Sequence, residues 1–68
     1  SEQAGLLSDR LQRARSATFR ALTADCATVA HVVGRFLALL DLYRERIVLF
    51  EQLTPLGDLT VRWAGDEG

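Results

Sequence analysis

Residues 28–63 read TVAHVVGRFLALLDLYRERIVLFEQLTPLGDLTVRW, and the period of the apolar side chains changes part-way along. Val29, Val32, Val33, Phe36, Leu40, Tyr43 and Ile47 follow steps of three and four. At helical pitch they share roughly a third of the circumference. Leu37 and Leu39 widen this stripe, while Leu42 lies off it on the flank with Arg35 and Arg46. The Thr28 hydroxyl is placed to accept an orphan amide of the first turn. The pattern predicts a helix over 28–46 with Phe36 and Leu40 in the core. From Ile47 the period shortens. Residues 47–51 form a β-branched and aromatic run, and 52–57 carry turn chemistry with Pro55 and Gly57. Leu59, Val61 and Trp63 then alternate with Thr60 and Arg62, as in a half-buried strand whose apolar positions belong to the core.

Upstream, Leu7, Leu11 and Ala14 recur at helical spacing, with Asp9, Arg10, Gln12 and Arg13 on other faces. This predicts an amphipathic helix over 3–15, with Asp9 and Arg13 four apart in the favourable order. Ser16 interrupts the pattern. Residues 17–19 suit a very short strand burying Phe19, 20–24 a brief second helix, and 64–68 a frayed end. Helix, short strand, helix, long helix and two-stranded hairpin define an α+β winged-helix domain, with the hairpin loop as its wing. One such domain accounts for residues 1–68.

The composition narrows function. The 68 residues are 49% hydrophobic and 25% charged, the balance of a folded domain. Eight basic residues face nine acidic ones, and all eight are arginine, so no lysine amine is available for catalysis. Cys26 stands alone and forms no internal disulfide, which suits a reducing cytoplasm. No apolar run approaches the roughly 20 residues that span a bilayer. The chain opens on Ser1, which leads us to expect part of a longer protein. A core this small seldom yields more than about 3–5 kcal/mol, so a partner is expected to add stability.

The heptapeptide Phe36-Leu37-Ala38-Leu39-Leu40-Asp41-Leu42, followed by Gln52, Pro55, Gly57, Asp58 and Leu59, resembles the C-terminal signature of the kleisin family, in particular its bacterial segregation and condensation branch. The likeness covers residues from Phe19 to Trp63. The chain departs from the pattern at Leu56, where an aromatic is common, and at Asp41, where Glu is usual. The resemblance implies a C-terminal winged helix that docks on the ATPase head of an SMC protein, binds no ATP, and serves chromosome condensation and segregation near the nucleoid. It also implies that the companion protein ScpB is met by other parts of a full-length chain.

Two surfaces compete for the binding role. The DNA alternative rests on the cluster Arg10, Arg13, Arg15 and Arg20, yet residues 52–58 contain no cation, and phosphate contacts need them. Asp41 and Glu45 also interleave with Arg35, Arg44 and Arg46, and Asp41 is placed to pair with Arg44. An apolar docking surface has more support. Residues 47–50 are apolar on both strand faces, Leu42 lies off its helix stripe, and Leu53 and Leu56 occupy a loop. The expected anchors are Leu39, Leu42, Phe50, Leu53 and Leu56, with Arg46 and Arg62 at the rim. Such a surface also suits self-association of the isolated domain.

Catalytic chemistry is not visible. Cys26 and His31 are the lone thiol and imidazole, five residues apart. A nucleophile needs a base within reach, and a zinc site needs about four ligands. Cys26 reads as a small buried residue and His31 as a solvated one. No cofactor or metal is expected.

Overall fold

The strands β1 (Ser16–Thr18), β2 (Val48–Glu51) and β3 (Thr60–Trp63) make an antiparallel sheet in which β3, last in sequence, is central. The computed structural model describes residues 2–67. Its helices are α1 (Glu2–Ala14), α2 (Phe19–Leu22) and α3 (Val29–Arg44), followed beyond the sheet by a 3₁₀ turn at Gly65–Glu67. This is the expected small α+β, winged-helix-like arrangement, with boundaries displaced by one or two residues.

Local chemistry sets those boundaries. The Thr18 hydroxyl accepts from the Ala21 amide at 3.1 Å, so Phe19 opens α2 instead of ending β1. The Thr28 hydroxyl accepts from the His31 amide at 3.1 Å, the cap expected for α3. At the other end, the Ile47 amide donates to the Leu42 carbonyl and the Arg46 amide to the Tyr43 carbonyl, both at 2.9 Å. These crossed bonds close the helix with Arg46 in the left-handed region, φ 62°. The helix therefore stops two residues short of the expected 46.

The register pairs Val48 with Trp63 and Phe50 with Val61 on β3, and Ala17 with Val61 from β1. These side chains face the helices. Leu49, Glu51, Thr60 and Arg62 face outward. Beneath the sheet lie Leu7 and Leu11 of α1, Leu22 of α2, and Ala38, Leu39 and Leu42 of α3, with Val48 and Val61. Phe19, Ile47, Phe50 and Trp63 pack around this cluster while keeping partial exposure.

The buried face of α3 is not the expected one. Leu39 is 0% and Leu42 4% exposed, both in the core, whereas Val29, Val33, Phe36, Leu37 and Tyr43 face solvent. Phe36, expected in the core, is thus a surface residue. Leu40 and Leu59 are half-buried, and Val61 is buried as expected. At 100° per residue the covered face is rotated by roughly a third of a turn from the apolar stripe. Periodicity locates an apolar arc but not the element that covers it. Here α1 packs over the side bearing Gly34 and Ala38, small residues one turn apart, and a Cβ at Gly34 would lie 3.5 Å from the Gln3 amide nitrogen.

That rotation brings Arg35 inside, at 3% exposure. A buried guanidinium is tolerated only when its N–H groups find acceptors. Its Nη1 donates to the Leu22 carbonyl at 2.9 Å and to the Asp25 carboxylate, and its Nη2 meets His31 Nε2 at 3.1 Å. Residues 64–66, expected to fray, are anchored. The Ala64 amide donates to the Ile47 carbonyl at 2.8 Å, Ala64 is buried, and Asp66 pairs with Arg15. Asp9 and Arg13, both exposed on α1, form no ion pair among the described residues.

Candidate docking surface

The loop between β2 and β3 is built by the residues that mark it in sequence. The Gln52 side-chain amide donates to the Gly57 carbonyl at 2.8 Å, and the Gly57 amide donates to the Thr54 carbonyl at 3.0 Å. A Cβ at Gly57 would sit 2.4 Å from Thr54 Oγ1 and 3.1 Å from the Thr54 carbonyl, so any larger residue forces Thr54 to rotate and its carbonyl to shift. Asp58 pairs with Arg20 at 3.1 Å, tying the loop to α2. Within this frame Leu53 is 85% exposed and Leu56 entirely so, with Leu56 in the left-handed region at φ 62°.

The second component is the outer face of α3. Val29, Val33, Phe36, Leu37 and Tyr43 line it from end to end. Aromatic pairs join this face to its neighbours. Phe36 meets Phe19 edge-to-face with ring centroids 5.7 Å apart, and Tyr43 meets Phe50 at 5.2 Å. Such pairs add about 0.5–1.5 kcal/mol beyond their burial and hold the rings in place. Contiguous exposed apolar patches are common at interaction sites, which makes this stripe the candidate surface.

The expected site residues divide accordingly. Leu39 and Leu42 are interior and unavailable to a partner, since the covered face of α3 is the one that carries them. Phe50 lies at the core margin against Tyr43, and Leu53 and Leu56 project freely. The Arg46 side chain is exposed, with no ion-pair or hydrogen-bond partner among the described residues. Arg62 lies on the outer sheet face, paired with Glu51 at 3.0 Å and in register with Leu49. Val33, Phe36, Leu37 and Tyr43 were missed as surface residues. The signal was present, because their stripe is too long for the few side chains that α1 and α2 offer against it.

The electrostatics disfavour a DNA face. Arg15 is taken by Asp66 and Arg20 by Asp58, which leaves Arg10 and Arg13 of the four-arginine cluster. Arg44 lies 4.0 Å from Asp41, the expected surface pair. The Arg35 guanidinium hydrogen-bonded to Asp25, aided by that residue's own backbone amide, holds its carboxyl below the usual range. Arg15, with the Trp63 indole, does the same to Asp66. His31 is half-buried against Arg35, not solvated, and Cys26 is half-buried. Among the described residues no group of three or more His, Cys, Asp and Glu side chains is arranged to hold a metal ion. None of the helices described is long and apolar enough to cross a membrane.

A winged-helix-like domain with a greasy outer helix and a pinned wing is, by class, a small module with an apolar surface left uncovered. The family model of Segregation and condensation protein ScpA matches residues 1–64. The chain belongs to that family, the kleisins of chromosome segregation and condensation that associate with SMC complexes and are structural, not enzymatic. A comparison with curated proteins gives no match.

Proposed function

We propose that this chain is a non-enzymatic interaction domain, the C-terminal winged helix of a kleisin, that docks on the ATPase head of an SMC protein. The supporting observation is the solvent-facing stripe of α3, with Val33, Phe36, Leu37 and Tyr43 uncovered. In this reading Phe36, Tyr43, Phe50, Leu53 and Leu56 are the apolar anchors, and Arg46 and Arg62 flank them. Leu39 and Leu42 act only by holding α3 in place. ScpB is engaged by other segments of a full-length kleisin, DNA is reached through the complex, and the site of action is the cytoplasmic nucleoid.

Co-purification with an isolated SMC head tests the proposal. Phe36→Arg and Tyr43→Arg alter surface side chains and should leave the circular dichroism spectrum intact while abolishing capture of the head. Normal capture by both folded variants would overturn the reading. Concentration-dependent sedimentation of the free chain would mean that the stripe instead pairs two copies.

A further inference from the structure

The one-turn helix α2 touches both halves of the candidate surface. Phe19, its first residue, meets Phe36 of the α3 stripe edge-to-face at 5.7 Å. Arg20, its second, pairs with Asp58 of the β2–β3 loop at 3.1 Å. Among the described residues that contact is the only ion pair or side-chain hydrogen bond joining residues 52–58 to the rest of the domain. Beside it the Phe19 amide donates to the Leu59 carbonyl at 2.7 Å, where the chain enters β3. A helix of four residues has no stability of its own, so its surroundings fix its placement. The Thr18 hydroxyl caps it, the Thr23 hydroxyl donates back to the Phe19 carbonyl at 2.9 Å, and Leu22 is buried in the core. From α3, Arg35 Nη1 grips the Leu22 carbonyl at 2.9 Å.

We propose that α2 is the joint that holds the β2–β3 loop and the α3 stripe in fixed relation, with Phe19 and Arg20 as positioning residues on its two sides. Neither needs to touch a partner. The inference rests on the docking reading for its effect on binding, while the joint itself belongs to the free chain. The Arg20 and Asp58 side chains are 83% and 52% exposed, and an ion pair this open adds little to global stability. Its effect is local. It restricts a loop that otherwise closes only on itself, through Gln52, Thr54 and Gly57. Holding Leu53 and Leu56 in place before contact lowers the ordering cost of binding. Arg20 is thereby accounted for without phosphate contacts.

Nitrogen-15 relaxation of the free chain tests the joint. Arg20→Gln and Asp58→Asn should each raise fast mobility at the Leu56 and Gly57 amides and leave the melting temperature within about 4 °C. Exchanging the charges, Arg20→Asp with Asp58→Arg, should restore both amides. Phe19→Leu should free the Phe36 ring without loosening the loop, whereas Thr18→Val, which removes the helix cap, should loosen ring and loop together. Binding to the SMC head should weaken about threefold or more in Arg20→Gln. Adding Asp58→Asn should cause no further loss, and the exchanged pair should recover. Unchanged Leu56 relaxation in both single variants would overturn the inference. So would a binding loss that the exchange fails to restore, because Arg20 would then touch the partner itself. Normal capture of the head by Phe36→Arg would end the docking reading, and the relaxation results would still decide the joint.

Discussion

Arg35 Nη2 and His31 Nε2 lie 3.1 Å apart, one turn from each other on α3. Arginine only donates, so His31 must accept through an unprotonated Nε2 and carry its proton on Nδ1. The ring nitrogen supplies the acceptor for Nη2 of the buried guanidinium, whose Nε is buried with no hydrogen-bond partner among the described residues. Nitrogen-15 shifts of His31 at neutral pH should report the Nδ1–H tautomer. Finding the Nε2–H form would dissolve the contact.

Arg35 itself should be a stability residue. Arg35→Ala removes a buried side chain and strands the Leu22 carbonyl, at a cost of about 2–4 kcal/mol. A domain of this size has little more to lose. Urea unfolding should show the variant largely denatured in plain buffer.

Acid should act through carboxylates with lowered pKa. Asp25 and Asp66 both fall below their ordinary 3.8, through Arg35 and Arg15 respectively. A depressed folded value means the stabilisation is complete above the unfolded pKa and is lost as pH falls through the folded one. Their contribution to the melting temperature should therefore hold from neutrality to about pH 5 and decline below about pH 4. Asp25→Asn should start lower and show a shallower acid decline. An unchanged acid slope would remove Asp25 from the account.

The orientation of α3 has its own test. Leu39→Ala and Leu42→Ala should each cost about 2–5 kcal/mol, since both empty core volume. Leu37→Ala should stay within about 0.5 kcal/mol as a surface change. The reverse ranking in chemical denaturation would restore the rotation expected from periodicity.

Gly57→Ala probes the wing. The new methyl would press on the Thr54 hydroxyl and carbonyl, and relief by rotating Thr54 leaves the carbonyl contact at 3.1 Å. A loss of about 1 kcal/mol is expected, with faster amide exchange at Gly57 as the local signature. Protection equal to the unaltered chain would show that the turn does not need glycine.

Element order, the Thr28 cap and the β2–β3 pairing were legible because each depends on chemistry within a few residues: Thr28 before its helix, Pro55 and Gly57 in the turn, alternation at Leu59, Val61 and Trp63. The side of α3 that faces inward was not legible. That choice depends on how closely α1 approaches Gly34 and Ala38, and on acceptors for Arg35 supplied from Leu22 and Asp25, which no single helical pattern contains. The same misreading placed Leu39 and Leu42 at the surface and Phe36 inside. The wing leucines were read correctly as outliers because a polar loop has no use for them. Arg46 kept its surface place, but its left-handed backbone emerged only from the crossed bonds at the end of α3.

The central strand is also the last of these three to be synthesised. β1 and β2 touch β3 on opposite sides and are otherwise unpaired with each other. A nascent chain still holding residues 60–64 inside the ribosome therefore has two lone strands and no sheet to lay its helices against. The sheet can form only after residues 60–64 have left the ribosome, which delays the moment at which the apolar stripe of α3 is first displayed on a finished domain.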